Sequence, residues 1–321
     1  MGVLMNKLVP LFFAVLAPGI VTADDDCRYS AKRTVQASTD GVKQIVVRAG
    51  AGSLKIDGEA GGRELSAVGL ACAAREGQLD ELQLRLDRVG DTLRLTAEIP
   101  DSPFRLSNWF GGAQSRIDMT VRLPSGIALD VEDSSGEAEI SHVGALTIDD
   151  GSGALRLVDI NGGLDVKDGS GEVDISEVAG SVRLSDGSGD VSIRTVRGDV
   201  VIANDGSGAL EIVDVQGNVT IGDDGSGEIR IERVSGSVRI ENDGSGGIFV
   251  STVKHDVFID QDGSGEIEVV DIEGDFEVRE SGSGGIRHDR VGGRVRLGGD
   301  ADRGMDRDRM EDVEDMDVER E

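Results

Sequence analysis

Aliphatic and polar residues alternate in short runs that recur along most of this 321-residue chain. Within residues 228–241, single polar residues separate Ile229 from Ile231 and Val238 from Ile240. A period of two is typical of a β-strand with one buried face, whereas an α-helix needs apolar residues three and four positions apart. A Val-x-Gly turn separates the two runs, so the pattern predicts two short strands joined by a tight turn.

Each pair of predicted strands is followed by a glycine-rich turn. The tetrapeptide Asp-Gly-Ser-Gly begins at Asp150, Asp168, Asp186, Asp205, Asp224, Asp243 and Asp262, with variants at residues 133–136 and 281–284. Successive turns begin seventeen, eighteen and eighteen positions apart, and then nineteen positions apart five times. Self-similarity at a fixed period is the signature of a stacked array. We therefore predict an all-β fold in which residues 133–298 form a parallel β-solenoid of about 19-residue coils, with two short strands per coil.

Aliphatic residues occupy the same five positions of nearly every repeat. The first of these columns contains Ala138, Leu155, Val173, Val191, Leu210, Ile229, Ile248, Ile267 and Ile286. Branched aliphatic side chains suit a pleated, half-buried surface, and stacking buries each column against the next coil. A single coil has too little core to fold alone, so we expect neighbouring coils to fold together around one continuous core.

The regions on either side of the repeats depart from this pattern. Residues 24–132 alternate less regularly, which indicates an irregular, β-rich N-terminal cap over the open end of the stack. Residues 299–321 are highly charged, with acidic residues in excess of basic ones, and have no sustained apolar face, so we expect a disordered tail. Because like charges would oppose end-to-end stacking, the expected state is a monomer.

Residues 1–23 have the pattern of a secretory signal. Lys7 precedes an apolar run at residues 8–16, and small residues follow at 21–23. This run is too short to span a bilayer, and we expect cleavage after Ala23, with a retained anchor as the alternative. No later stretch is apolar enough to span a membrane. The sequence therefore predicts an exported protein, located in the periplasm or at the cell surface.

The net charge limits the classes of partner, and the cysteine content indicates a possible disulfide. The 62 acidic residues outnumber 33 basic ones, giving a formal net charge of −29. Nucleic acid is excluded as a partner because phosphate binding needs a basic surface. The only two cysteines, Cys27 and Cys72, suggest one disulfide in an oxidising compartment. Two unpaired thiols are the alternative, since sequence gives no distance between them.

The seven repeated aspartates are the first candidate for a site. Each can accept a backbone hydrogen bond in an Asx-turn, which is the simpler interpretation. Stacked coils would place the carboxylates about 4.8 Å apart, where like charges repel unless each is hydrogen-bonded or a cation lies between them. Calcium binding at these turns is therefore an alternative function. No other cofactor is predicted.

An aromatic loop is the second candidate site, and catalysis is the remaining functional alternative. Phe104, Trp109 and Phe110 lie in residues 101–115, where they either pack over the cap or form a contact patch for a partner. Turns within residues 133–298 are too short to wall the cleft of a carbohydrate-active β-helix enzyme, and no triad, metal cluster or phosphate loop stands out. We predict no catalytic residue and keep that enzyme class only as an alternative.

Three motifs give residues 41–298 a resemblance to a known family. They are the early unit at 50–58, the lead-in Thr-Val-Arg-Leu-Pro-Ser-Gly at 120–126 with Asp-Ser-Ser-Gly at 133–136, and the coil unit itself. The chain resembles the bacterial putative-adhesin β-strand-repeat family of exported proteins. The resemblance implies a right-handed β-helix or β-roll without catalytic residues. We expect a non-catalytic, adhesin-like or structural module of the cell envelope, whose partner is an envelope or surface protein or glycan.

Overall fold

The structure is a computed structural model that describes residues 27–100 and 115–298. Two thirteen-stranded sheets enclose one continuous aliphatic core. Nine regular coils, each contributing one strand to each sheet, follow an irregular N-terminal region. The predicted parallel β-solenoid with two strands per coil is therefore confirmed.

The N-terminal region mixes parallel and antiparallel pairing. Its elements are β1 (Tyr29–Ser38), β2 (Gln44–Arg48), β3 (Leu54–Glu59), β4 (Glu64–Ala73), a 3₁₀ helix at Glu76–Glu81, β5 (Gln83–Val89), β6 (Thr92–Glu98), β7 (Arg116–Pro124) and β8 (Ala128–Asp133). β4 pairs antiparallel with both β1 and β7, and β5 pairs antiparallel with β6. These pairs cover the N-terminal end of the stack and agree with the expected irregular cap.

Each regular coil consists of a first strand, a turn of two or three residues, a second strand and the glycine-rich turn. The first strands are β9 (Ala138–Val143), β11 (Leu155–Ile160), β13 (Val173–Val178), β15 (Val191–Val196), β17 (Leu210–Val215), β19 (Ile229–Val234), β21 (Ile248–Val253), β23 (Ile267–Ile272) and β25 (Ile286–Val291). The second strands are β10 (Leu146–Asp150), β12 (Leu164–Asp168), β14 (Val182–Asp186), β16 (Val200–Asp205), β18 (Val219–Asp224), β20 (Val238–Asp243), β22 (Val257–Ser264), β24 (Phe276–Ser283) and β26 (Val295–Leu297). Every strand pairs in parallel with its equivalent in the next coil, as in β19 with β21.

One early coil is stacked out of chain order. β3 lies between β7 and β9 in one sheet, and β2 lies between β6 and β8 in the other. Both pair in parallel with their neighbours, with Ile56 opposite Ile140 and Ile45 opposite Leu129. The coil made by β2 and β3 therefore continues the solenoid core into the cap.

The predicted aliphatic columns form the core. In the coil of β19 and β20, Ile229, Ile231, Val238 and Ile240 are fully buried, and Val234 is 1% exposed. Alternation places the polar residues between them on the outer surface. The columns stay buried up to the eighth coil and become partly exposed in the ninth.

The lengthening of the coils after the third repeat has a local cause. Between β14 and β16, Leu184 pairs with Ile202 but Ser185 pairs with Asn204, so Ala203 is an extra residue in the second strand. A bulge of one residue shifts the alternation by one position. The shift keeps Asp205 facing the core, as its equivalents do in the shorter coils.

Candidate functional site

A column of eight buried aspartates runs along the core where the second strands end. Each is between 1% and 6% exposed, although aspartate is rarely buried without a partner. We call this set the aspartate column: Asp133, Asp150, Asp168, Asp186, Asp205, Asp224, Asp243 and Asp262. The structure thus brings all seven sequence-predicted aspartates together, with Asp133 added at the N-terminal end.

The expected Asx-turns are absent from most of this column. Asp133 accepts a hydrogen bond from the backbone N–H of Ser134 at 2.9 Å. In Asp150, Asp168, Asp186, Asp205, Asp224 and Asp243, neither carboxyl oxygen accepts a hydrogen bond from the backbone N–H two residues on, as an Asx-turn requires. The Asx-turn interpretation is wrong for these six residues because their side chains point into the core and not along the turn.

A sequence signal for the inward orientation exists in the shorter coils. Leu164, Val166 and Asp168 are spaced by two, so alternation alone places Asp168 on the buried face. The polarity of aspartate and the following glycine favour a turn assignment instead. The structure follows the strand alternation, so the carboxyl group of Asp168 lies in the core on the same face as Leu164 and Val166.

Burial strongly perturbs these carboxyl groups. Burial, reinforced by the neighbouring carboxyls of Asp224 and Asp262, raises the pKa of Asp243 to about 8. Burial and the charges of Asp224 and Asp186 raise the pKa of Asp205 to about 7. Near neutral pH part of the column is therefore protonated, and a protonated carboxyl can donate a hydrogen bond to the next carboxylate.

The geometry of the column differs from that of a calcium site. Calcium binds six to eight oxygens that converge from several directions. The column supplies one carboxyl group per coil, in a line. Among residues 27–100 and 115–298, no group of three or more His, Cys, Asp or Glu side chains is arranged to hold a metal ion.

A second feature lies on the outer surface, along the turn between the two strands. A groove of about 850 Å³ crosses six successive coils, from Thr195 to Gly292. We call it the flank groove. Its outward-facing lining includes Thr195, Asp214, Gln216, Arg233, Ser235, Thr252, Lys254, Asp271, Glu273 and Arg290.

One residue in each regular coil has a left-handed backbone conformation at this turn. The nine residues, with φ between 53° and 61°, are His142, Asp159, Glu177, Thr195, Asp214, Arg233, Thr252, Asp271 and Arg290. This backbone conformation is costly for residues other than glycine, and most of all for β-branched residues. The two threonines, Thr195 and Thr252, both line the flank groove. Strain of this kind is often found at functional sites.

The lining of the groove repeats every three coils. Thr195, Asp214 and Arg233 recur three coils later as Thr252, Asp271 and Arg290. In the first unit, the Arg233 guanidinium contacts both oxygens of Asp214, at 2.6 and 3.1 Å. In the second, Arg290 pairs with Asp271 in the same way. These arginines lower the pKa of Asp214 and of Asp271. The groove therefore presents two equivalent Thr-Asp-Arg units about 14 Å apart.

The two predicted cysteines lie away from both features, in the N-terminal region. Cys27 and Cys72 form a disulfide with a Cα–Cα distance of 5.5 Å, which joins the start of the described chain to β4. Phe104, Trp109 and Phe110 lie outside the described residues, as do the predicted signal and the acidic tail. In the described ranges, no helix is long and apolar enough to cross a membrane.

The connections between the strands of the regular coils are short. Three residues separate β19 from β20, and four separate β20 from β21, so no long loop projects from this coil over the flank groove. The acids whose pKa is raised lie inside the core, where a substrate has no access. Exposed acids such as Asp214 are held in ion pairs with arginine.

A family model and several solved structures match this chain. The family model is described as Toastrack DUF4097 and matches residues 73–290. Similar solved structures include a "putative cell adhesion protein" from Clostridium sporogenes (10% identity, 84% of this chain and 100% of that chain, TM-score 0.24). Others are a "putative lipid binding protein" from Parabacteroides distasonis (15%, 84% and 97%, 0.33) and a "putative adhesin" from Parabacteroides merdae (13%, 83% and 95%, 0.27). No curated protein sequence matches this chain at a significant level.

Proposed function

We propose, from the premise that the chain belongs to the Toastrack DUF4097 family, that it is a non-catalytic, adhesin-like interaction module of the cell envelope. The solenoid is a rigid rod, and the flank groove binds an extended segment of a partner protein. The observation that carries this proposal is the groove itself, an open channel that follows the rod axis across six coils. Export to the periplasm or the cell surface is part of the proposal, and the disulfide and the sequence pattern of residues 1–23 support it.

The side chains of the groove suit a polypeptide with charges of both signs. Asp271 and Glu273 alternate with Lys254 and Arg290 along the axis. The lining contains Thr, Ser and Gln as neutral donors and acceptors, and it contains no aromatic side chain on which a sugar ring could stack. Complementary charge of this kind fixes the register of a partner more than it adds affinity.

The repeat of the lining gives the groove a defined period. Two equivalent Thr-Asp-Arg units about 14 Å apart match a spacing of four residues in an extended chain. A partner with a repeated charge pattern would engage both units at once. Two linked contacts bind more tightly than one because the second forms at high effective concentration.

A matched pair of double variants tests the proposal. Ser235→Glu with Lys254→Glu adds negative charge inside the groove, whereas Ser185→Glu with Lys167→Glu makes the same changes at two paired positions of β12 and β14, away from the groove. The labelled full chain is titrated onto envelope fractions of the producing cell. We expect the groove variant to bind about tenfold more weakly, equal to about 1.4 kcal/mol, and the control to bind like the wild type.

Two results would contradict the proposal. Equal losses in both variants would show that net charge matters and the groove does not. Binding that survives protease treatment of the envelope fraction but is lost after glycosidase treatment would show that the partner is a glycan.

A further inference from the structure

An ordered column of charges runs along the outer face of the sheet that contains the first strands of the coils. The column is formed by the second residue of each first strand, which alternation turns away from the core. In the last five coils its members are Glu211, Arg230, Phe249, Glu268 and Arg287. We call these five residues the charge column. All of them are at least partly exposed, and parallel pairing places neighbouring members about 4.8 Å apart.

The charges of this column reverse in sign about Phe249. One coil before Phe249 lies Arg230, and one coil after it lies Glu268. Two coils before it lies Glu211, and two coils after it lies Arg287. Turning the column end for end about Phe249 therefore brings each charge opposite a charge of the other sign. A column with this property is complementary to an antiparallel copy of itself.

A two-fold axis across this face at the level of Phe249 produces such a pair of columns. The axis makes the two rods antiparallel and lays each column over the same column of the second copy. Arg230 then faces Glu268 of the second copy and Glu211 faces Arg287, and each contact occurs twice. The two Phe249 rings meet at the axis, where they bury apolar surface. In its own chain the Arg230 guanidinium lies 4.6 Å from the centre of the Phe249 ring, which holds both side chains on this face.

The neighbouring outward column of the same strands, from Val213 to Asp289, brings no like charges together in this arrangement. Glu232 faces Val270 of the second copy, Val213 faces Asp289, and Ser251 faces itself. A parallel arrangement in register would instead place every charge of the charge column opposite its own equivalent, which is unfavourable. The pattern therefore favours the antiparallel arrangement.

One like-charged contact lies at the rim of the face, where Glu228 faces Glu266 of the second copy. The Arg230 guanidinium lies 2.7 Å from the carboxylate of Glu228, and Arg287 forms an ion pair with Glu266. Both carboxylates are therefore already neutralised within their own chain, which reduces their mutual repulsion.

The opposite face of the rod carries a weaker form of the same pattern. Arg239, Phe258 and Glu277 occupy equivalent positions in the second strands. The residue one coil before Arg239 is Thr220, so Arg296 would have no acidic residue opposite it. The charges therefore favour the face of Phe249 over the opposite face.

We infer that two copies of this chain form an antiparallel dimer through the outer face of β17, β19, β21, β23 and β25, with the two-fold axis at Phe249. The overlap of five coils is about 24 Å long and about 17 Å wide, or roughly 800 Å² over both copies. Interfaces of this size are weak, so the dimer is reversible, with a Kd on the order of tens of micromolar. The expectation of a monomer concerned end-to-end contact, whereas this contact is side by side. In about 0.15 M salt the Debye length is about 8 Å, so the net charges of the two copies are screened while facing pairs still attract.

Two charge-reversal variants test the dimer by sedimentation equilibrium of the purified full chain at up to about 100 μM. Arg230→Glu and Glu268→Arg each bring like charges together, and each should raise the Kd at least about tenfold. An equimolar mixture of the two variants brings opposite charges together at both contacts. The mixture should therefore restore a dimer that contains one copy of each variant. Thermal melts followed by circular dichroism show whether each variant is folded.

The controls make the same changes in the same column outside the five overlapping coils. Arg156→Glu and Glu139→Arg, on β11 and β9, should dimerise like the wild type. Cross-linking gives a second measurement that does not depend on charge. Ser251→Cys faces itself in the dimer and should be cross-linked by a short bismaleimide about tenfold faster than Ser176→Cys, which lies in the same column outside the overlap.

The outcomes that would overturn the inference are distinct. A wild-type chain that stays monomeric at about 100 μM would exclude the dimer. A mixture of Arg230→Glu and Glu268→Arg that associates no better than either variant alone would exclude the antiparallel arrangement, as would equal cross-linking at positions 251 and 176. Equal weakening by the controls would exclude this part of the face. No envelope fraction is present, so failure of the dimer leaves the binding test of the flank groove unaffected.

Discussion

A Cβ atom on Gly246 would lie 1.5 Å from the carbonyl oxygen of Gly227, one coil earlier. Gly246 also has φ near +149°, a backbone conformation that residues other than glycine rarely adopt. Its N–H donates to the carbonyl of Ser264 in the following coil at 2.9 Å. The last glycine of each turn is therefore required by contact with the previous coil as well as by its own dihedral angles.

This contact predicts a sharp difference between two adjacent glycines. Gly246→Ala should lower the free energy of unfolding by about 3 kcal/mol or more, because both the backbone strain and the clash must be relieved. Gly247→Ala should change it by less than about 0.5 kcal/mol, since the nearest atom to its Cβ is the Glu266 carbonyl oxygen at 3.8 Å. Urea denaturation followed by circular dichroism measures both values. Similar losses in the two variants would mean that the stacked turn does not depend on this contact.

The regular coils could be predicted from sequence because each feature of a coil is local and repeated. Val238 and Ile240 alternate within one strand, and the same pattern returns in the next repeat as Val257 and Ile259. The order of the N-terminal strands could not be predicted in this way. β3 pairs with β7 and β9, although β4, β5 and β6 intervene along the chain, and no local period encodes that pairing.

The site features were harder to predict for physical reasons. Thr252 has a left-handed backbone conformation, which β-branched residues disfavour. Residue propensity therefore predicts a different conformation at this position. The three-coil repeat of the flank groove is visible in the sequence, but only the folded turn shows that its residues line one channel. The inward direction of Asp243 depends on the extra residue in the second strand, which only pairing between coils locates.

The aspartate column should make the solenoid more stable in mild acid. A folded-state pKa raised above the value of about 4 for an unfolded aspartate means that the folded state holds protons more tightly. The stabilisation is therefore complete below about pH 4 and is lost as the pH rises through about 6 for Asp168 and Asp186 and about 8 for Asp243. We expect the Tm measured by circular dichroism to fall by roughly 5 °C between pH 5.5 and 8.5.

Asparagine substitutions separate the column from the general acidity of the chain. Asp205→Asn/Asp224→Asn/Asp243→Asn removes three titrating groups from the core and should flatten the dependence of Tm on pH. Asp149→Asn/Asp190→Asn/Asp223→Asn removes three exposed carboxylates and should leave the slope unchanged. A Tm that rises at pH 8.5 on addition of millimolar calcium chloride would contradict the proton-based account and show that cations neutralise the column.

We predict that relieving the backbone strain at Thr252 stabilises the protein but weakens its binding to the envelope partner. Asparagine tolerates the left-handed conformation, so Thr252→Asn should stabilise the protein by about 1 kcal/mol and raise the Tm by roughly 3 °C. Thr220→Asn is the matched control on strand β18, where a β-branched residue is favoured and the change should lower the Tm. The Thr252 variant should also bind envelope fractions more weakly. A lower Tm for Thr252→Asn would mean that this threonine makes a stabilising interaction that outweighs its backbone strain.

The disulfide should stabilise the cap and leave the distant coils unaffected. Cys27 and Cys72 are 45 residues apart, and closing a loop of that length stabilises a folded state by about 4 kcal/mol in the chain-entropy estimate. In a solenoid each coil contacts only its neighbours, so the loss in Cys27→Ala/Cys72→Ala should be confined to the N-terminal end. Hydrogen exchange should accelerate in β1 and β4, which pair along their whole length, and stay unchanged in β17–β20. Reduction of the wild-type protein should produce the same pattern. Equal acceleration in both regions would show that the cap and the coils unfold as one cooperative unit.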